Sequence, residues 1–356
     1  MKQIRRWSLA VAVGLVLSGC GGGGDGDQSS AVSYRSLVSF GDSLSDVGSY
    51  ATAGLVAATG GGKFTVNATS DSRIWLERLA SQLGLSNPCA YQTGLESSGT
   101  LAGFAAAVST HAGCYSYAQG GARVTNPVGV GNKLLGEAIG QTTVPVVTQV
   151  VNHLSQSGGA FNGNDLVTVL AGANDLFIQL ATFSGTVEAG GDATTAATAA
   201  VTAMAVAATE LATLVKEQIL AKGAQHVVEV EVPDVSKTPY ALSLGAGAQG
   251  LILQMVTTFN TTLTTALGSS DKVLVVDAFA VSQDQMARPN QYDLTSVTAT
   301  ACNLAVVASS LVCSPATLNS GDVTHYMFAD GVHPTPYGHS LLAQLVAIRM
   351  AQRGWL

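Results

Sequence analysis

The stretch LVSFGDSLSDVGSY, Leu37 to Tyr50, sets a short apolar run against a tight turn. Ser36–Phe40 reads as a strand. Gly41 and Asp42 suit a turn for backbone reasons alone. Ser43 then stands at the tip, followed by Leu44, Ser45, Asp46 and Gly48. A serine ahead of a helix is commonly an N-cap, and Asp42 and Asp46 are expected to hold the turn by side-chain to backbone bonds. In an open α/β sheet, however, the carboxyl ends of the strands line one crevice where ligands bind. A hydroxyl placed there is also a candidate nucleophile, so the rest of the chain has to decide.

Downstream, apolar runs alternate with helical patterns. Asp165–Gly172, His226–Pro233 and Lys272–Phe279 read as strands. Within SRIWLERLASQLG, Ile74, Trp75, Leu79 and Leu83 fall at helical spacing, with Ser72 or Asp71 as cap and Gly84 as stop. Further helices are expected over Asp192–Lys222, Gln249–Leu267 and Thr335–Arg353. The alternation predicts an α/β fold with a parallel sheet covered on both faces. Gly94–Gly113 and Gln283–Gly321 fit no core element and are expected as surface loops or insertions near a site.

With 47% hydrophobic and 11% charged residues among 356, the chain suits a well-packed globule, not a disordered one. Its net charge is −7, and no Lys/Arg cluster follows the N-terminus, which argues against a nucleic-acid partner. Lys2, Arg5 and Arg6 precede an apolar segment, Trp7 to Leu17, too short to span a bilayer. It ends in LSGC, Leu17 to Cys20, which resembles the lipobox of bacterial lipoproteins. That resemblance implies lipidation of Cys20, a signal peptide over 1–20, a Gly/Ser tether over 21–33 and a folded domain over 34–356. The protein is expected to be exported, as a periplasmic or outer-membrane lipoprotein or a secreted protein. It would meet the membrane only through the anchor. No later segment reads as long and apolar enough to cross a bilayer. Cys89, Cys114, Cys302 and Cys313 remain, and an even count in an oxidising compartment predicts two disulfides. Local pairing, Cys89 with Cys114 and Cys302 with Cys313, is preferred among the possible connectivities. The histidines are scattered without metal-ligand spacing, so no metal and no cofactor are expected. His111, His153, His226 and His325 read as ordinary surface or loop residues, and His339 as a structural one.

Two more turns match the first. AGANDLF places Asn174 and Asp175 directly after the strand ending near Ala171, and FADGVHPTPYGH places Asp330 and His333 before the last helix. Acyl transfer needs a nucleophile, a base, a group that orients the base, and donors for the oxyanion. Ser43, His333 and Asp330 supply the first three. The Ser43 N–H, the Asn174 amide and a glycine N–H in SYAQGGARV, which contains Gly120 and Gly121, supply the last.

These blocks resemble those of the GDSL or SGNH serine hydrolases: FGDSLSDVGSY, YAQGGARV, GAND and DGVHPTPYGH occur in the family's order. The resemblance covers the chain from about Tyr34 onward. It implies a three-layer α/β/α, flavodoxin-like fold and a carboxylic ester hydrolase of esterase or lipase type. It assigns Ser43 as nucleophile, His333 as base and Asp330 as its orienting acid. Ser43, Gly121 and Asn174 become the oxyanion hole. Ala329 departs from the pattern, since relatives often have Trp before the Asp; the departure bears on pocket shape. Leu44, Phe177, Met327 and Phe328 flank the blocks and are expected to line an apolar acyl pocket; Arg123 is the one cation that closely adjoins the blocks. The substrate would be an acyl ester, lipid or polyester, met by a monomer. An acyltransferase using the same residues, or an inactive lipid- or glycan-binding lipoprotein, are the competing readings.

Overall fold

A computed structural model describes residues 32–135 and 139–356. Cys20 and nearly all of the 21–33 segment lie outside the described residues. The first elements are β1 (Ser36–Gly41), α1 (Ala53–Thr59), α2 (Trp75–Gln82), β2 (Gln92–Leu95), β3 (Ala106–Thr110) and α3 (Val146–Gln156). There follow β4 (Asp165–Leu170), α4 (Ala173–Glu188), α5 (Ala193–Leu214), β5 (His226–Val230), α6 (Pro239–Ser243) and α7 (Ala246–Leu267). The chain closes with β6 (Val273–Val276), α8 (Ala278–Ala287), β7 (Ser296–Thr300), β8 (Tyr326–Phe328) and α9 (Pro336–Gln352).

The central sheet runs β1-β4-β5-β6, with every pair parallel. The segment around Ser116 adds a short outer rung beside β1: Ser39 N donates to Tyr115 O at 3.0 Å and Tyr117 N to Ser39 O at 2.8 Å. Counting that rung gives the 2-1-3-4-5 order of flavodoxin-like sheets. Both faces are covered. Val38, Phe40, Val167 and Val169 pack with residues of α3, α4, α5 and α7. Leu37, Leu166, Leu170 and Val228 pack with α2 and α9 on the other side. Strands buried on both faces read as continuous apolar runs, which is why their sequences were legible.

Glu229 breaks the rule. It is fully buried in β5, level with Val169 of β4 and Val275 of β6, and its carboxylate oxygens have no hydrogen-bond partner among the described residues. Burial first, and the neighbouring Glu231 second, raise its carboxyl well above the usual range.

Several expectations need correcting. Gly94–Gly113 is no simple loop: β2 and β3 pair there as an antiparallel hairpin. Gln283–Gly321 contains the end of α8 and the whole of β7, which pairs parallel to β8, and its Cys302, Val307 and Cys313 are buried in their own cluster with Val66 and Ala329. The cap of α2 is at Ile74, whose N–H bonds Glu77 Oε2 at 2.8 Å. Asp71 pairs with Arg73 and Arg78 instead. The helix expected to Lys222 leaves α-geometry at Val215 and continues as a π-turn to Leu220. Ala193–Leu220 is long and apolar enough to cross a membrane, contrary to the sequence expectation, but Met204, Ala208, Leu211 and Ile219 are core residues packed against the sheet's helical layer. The disulfides are Cys89–Cys114 and Cys302–Cys313, as the local pairing expected.

His153 is not a surface residue. It is 1% exposed on α3, ringed by Phe40, Tyr115, Tyr117 and Phe161. Burial pushes its imidazole down from 6.5 to about 4, with Asp165 pulling weakly the other way. An unfolded chain takes up that proton near 6.5, whereas the folded one resists it to about 4. The cage's contribution is therefore complete above pH 6.5 and is lost as pH falls through 4. Each unit of such a gap is worth about 1.4 kcal/mol. Thermal melts of His153→Phe are expected to lose less stability between pH 6.5 and 4 than wild type; parallel curves would refute the account. His226, wedged between Tyr34 and Trp355, and His325, stacked on Tyr337, are also packed, not free.

Candidate active site

Ser43 sits two residues beyond the end of β1. Gly41 makes that turn possible: its φ is +146°, and a Cβ there would lie 2.1 Å from Leu170 O. Only glycine lets β1 and β4 stay paired up to the turn. Gln149 of α3 locks the same residue from behind. Its Oε1 accepts Gly41 N–H and its Nε2 donates to Gly41 O, each at 2.8 Å. Asp42 and Asp46 hold the turn as their positions suggested. Asp42 Oδ1 accepts from Leu44 N at 3.1 Å, and Asp46 Oδ1 from Gly48 N at 2.9 Å and Ser49 N at 2.6 Å.

Ser43 Oγ lies 2.9 Å from His333 Nε2, and His333 Nδ1 lies 2.8 Å from Asp330 Oδ2. With the imidazole proton on Nδ1, Nε2 is free to accept from the serine hydroxyl. The chain joins residues 290 positions apart. Asp330 is fixed from several sides: Oδ1 accepts from Val332 N at 3.0 Å and His333 N at 2.9 Å, and Oδ2 from Ser310 N at 2.8 Å. Burial alone would raise this carboxyl. The His333 imidazole and the N–H donors outweigh it and hold Asp330 well below the usual carboxylate range. The Phe64 ring lies 4.8 Å from the imidazole, centroid to centroid, and backs it.

Asn174 and Asp175 open α4, and both reach the glycine loop. Asn174 Nδ2 donates to Ala122 O at 3.0 Å; Asp175 accepts from Arg123 Nε and Val124 N, both at 2.9 Å. Arg123 is thus spoken for by a buried carboxylate and is not the free cation the sequence suggested. Gly120 N–H donates to Asp46 Oδ2 at 2.9 Å. Gly121 has φ +78°, and a Cβ on it would meet Val130 O at 2.0 Å. Asp46 therefore does more than close its own turn: it bolts the glycine loop to the serine's turn, and nothing local in the sequence announces that.

Of the residues expected to line an acyl pocket, Leu44 is half-buried against the α2–α9 layer. Phe177 is half-buried and meets Tyr240 edge-on, 5.7 Å between centroids. Met327 and Phe328 are buried with Leu294, packed against Met286 and Tyr292, so they belong to a core cluster behind Asp330. Tyr240, missed in the sequence, is exposed and its N–H bonds Gly331 O at 2.9 Å, between Asp330 and His333. Asp42 is a second feature the sequence hid: it is 1% exposed, and its Oδ2 has no partner among the described residues. Burial pushes its carboxyl up to about 7, against the pull of Leu44 N–H and His333.

A parallel sheet with a serine, a histidine and an aspartate hydrogen-bonded in sequence at its edge is the arrangement of a serine hydrolase. The GDSL-like Lipase/Acylhydrolase family matches residues 37–346, and the chain belongs to that family. It is similar to the GDSL esterase/lipase APG of Arabidopsis thaliana, 27% identical over 139 residues, which are 36% of this chain and 39% of that protein. It is also similar to the GDSL esterase/lipase At2g40250 of Arabidopsis thaliana, 29% identical over 72 residues, 20% of each chain. The matched stretches thus span well under half of either relative.

Proposed function

We propose that this protein hydrolyses carboxylic esters through an acyl-enzyme on Ser43. The observation that supports it best is the continuous hydrogen-bonded chain Ser43 Oγ, His333, Asp330. His333 Nε2 takes the hydroxyl proton as Oγ attacks the ester carbonyl, then returns it to the departing alcohol. Asp330 holds the imidazole with its proton on Nδ1 and stabilises the imidazolium. Water activated by the same nitrogen releases the acid. The oxyanion is received by the Ser43 N–H, the Gly121 N–H and the Asn174 amide. Gly121 is favoured over Gly120 because the Gly120 N–H is already given to Asp46. An inactive binding protein has no use for a serine hydroxyl aimed at a histidine that is itself aimed at a buried aspartate.

The acyl chain would lie against Phe177 and Tyr240, the apolar pair beside Gly331. Each methylene buried there contributes about 0.8 kcal/mol, so kcat/KM is expected to rise with acyl length until the wall is covered. Assays on p-nitrophenyl esters from acetate to palmitate, with fluorophosphonate labelling of the serine, test this. Labelling without ester turnover would sink the hydrolase reading, and a flat length profile would sink the apolar wall.

Export and anchoring through Cys20 complete the proposal. The two disulfides fit an oxidising compartment. Fractionation tests the anchor: Cys20→Ser is expected to leave the membrane fraction, and its retention there would argue against lipidation.

A further inference from the structure

The disulfide Cys302–Cys313 joins two segments that both converge on Asp330. On one side, Ala301 N donates to Phe328 O at 2.8 Å and Cys302 N to Ala329 O at 2.9 Å, so this segment runs beside the residues directly before Asp330. On the other side, three residues before Cys313, Ser310 N–H donates to Asp330 Oδ2 at 2.8 Å. His333 Nδ1 faces that oxygen at 2.8 Å and the other, Oδ1, at 2.9 Å. The donors on the other oxygen, Val332 N and His333 N, come from Asp330's own turn. Ser310 is the distant one. The short turn that presents it, Ser310–Val312, is pinned by Asn67 Nδ2 on Ser310 O at 3.0 Å and by Gly62 N on Leu311 O at 2.9 Å.

We propose that the Cys302–Cys313 bridge and the Ser310 amide it holds are positioning elements for Asp330, and through Asp330 for the His333 imidazole. The proposal rests on the reading of Ser43, His333 and Asp330 as the reacting chain. Without Ser310, the donors on Asp330 among the described residues all come from its own turn or from the imidazole it has to hold, so the carboxylate and the ring can swing together. The Ser310 N–H, coming from a separate segment, fixes the plane of the carboxylate and so the direction from which both oxygens meet the imidazole. The bridge restricts the loop that carries the amide by closing a separation of 11 residues. Without it, the turn keeps its bonds from Asn67 and Gly62 and the burial of Leu311, but loses its covalent tie to the Ala301–Cys302 segment. A displacement of about 1 Å in a group that orients a reacting side chain can cost on the order of 10²-fold in rate. Both half-cystines are fully buried. The grip is therefore set when the bridge closes during folding and is not toggled by reductant in the folded protein.

The test compares wild type, Cys302→Ala/Cys313→Ala and Cys89→Ala/Cys114→Ala, each titrated for active serine with a fluorophosphonate and assayed on p-nitrophenyl butyrate below its unfolding temperature. Loss of the first bridge is expected to lower kcat per active site by about tenfold or more with KM nearly unchanged. Loss of the second is expected to leave both within about twofold. A second readout does not depend on turnover. In a Ser43→Ala background, the low-field proton resonance of His333 Nδ1–H is expected with both bridges intact and lost without Cys302–Cys313. If the double alanine variant does not fold, Asn67→Ala keeps both bridges, leaves the Ser310 carbonyl with Cys313 N as its donor and is expected to show the same loss confined to kcat. Unchanged titrated kcat, equal losses in the two bridge variants, or an unchanged low-field proton would overturn the proposal. Persistent esterase activity in Ser43→Ala would instead overturn the reading of the reacting chain, leaving the proton resonance to decide the positioning by itself.

Discussion

Ser43→Ala is expected to lower ester turnover by on the order of 10⁵–10⁶ in kcat and to abolish fluorophosphonate labelling, while the fold is kept. The asymmetry follows from the local hydrogen bonds. The serine hydroxyl is given to His333 Nε2. The turn itself is held by other groups: Asp42 on Leu44 N, Asp46 on Gly48 N and Ser49 N, and Gln149 on both sides of Gly41. Alanine fits the same backbone and removes one hydrogen bond from a site that is 8% exposed. Its cost in stability is about 1 kcal/mol. Activity within tenfold of wild type, measured on protein free of wild-type contamination, would remove Ser43 from the mechanism.

Asp330→Asn is expected to cost about 10⁴ in kcat, and for a reason that can be read atom by atom. The carboxylate is surrounded by donors: Ser310 N, Val332 N, His333 N and His333 Nδ1. Asparagine offers one acceptor oxygen and one donor amide, so in either orientation an N–H faces an N–H. If the amide turns toward the imidazole, Nδ1 must become the acceptor, and the ring proton moves to Nε2. The nitrogen that should take the serine proton then already has one. That orientation also leaves Ser310 N without its acceptor, and the opposite one leaves Val332 N and His333 N without theirs, each at about 1–3 kcal/mol of stability. A spectroscopic assignment of the His333 tautomer would show the shift directly. A variant with normal tautomer and normal kcat would contradict the role given to Asp330.

The sequence was most informative where a residue type is forced. The strands of the central sheet are buried on both faces, so β1, β4, β5 and β6 appeared as apolar runs. The turn after β1 requires Gly41, and the four short blocks contain the side chains that meet at the sheet edge. Legibility ended where the structure depends on backbone groups or on distant partners. The Ser310 amide has no residue signature. His153 looks polar in the sequence because the aromatics around it come from β1, Tyr115, Tyr117 and Phe161. Arg123 looked available because its partner, Asp175, lies 52 positions away. The α2 cap was assigned to small polar residues, whereas Glu77 reaches back to Ile74 and Ser72 instead accepts from Thr69 N. Met327 and Phe328 were expected at the pocket by their nearness in the chain to Asp330. Nearness in the chain does not decide what a side chain packs on: both close a separate core with Leu294, against Met286 and Tyr292.

Asp46 has a consequence for anyone who would transplant parts of this molecule. One carboxylate receives Gly48 N, Ser49 N and Ser49 Oγ from its own turn and Gly120 N from the loop opposite. The turn and the loop are therefore a single exchangeable module, although 74 positions separate them. A chimaera that imports a foreign glycine loop alone would leave a fully buried acid short of a partner, and burial already disfavours its ionised form. Recombination borders that respect this pairing would move Leu37–Tyr50 and Ser116–Val124 together.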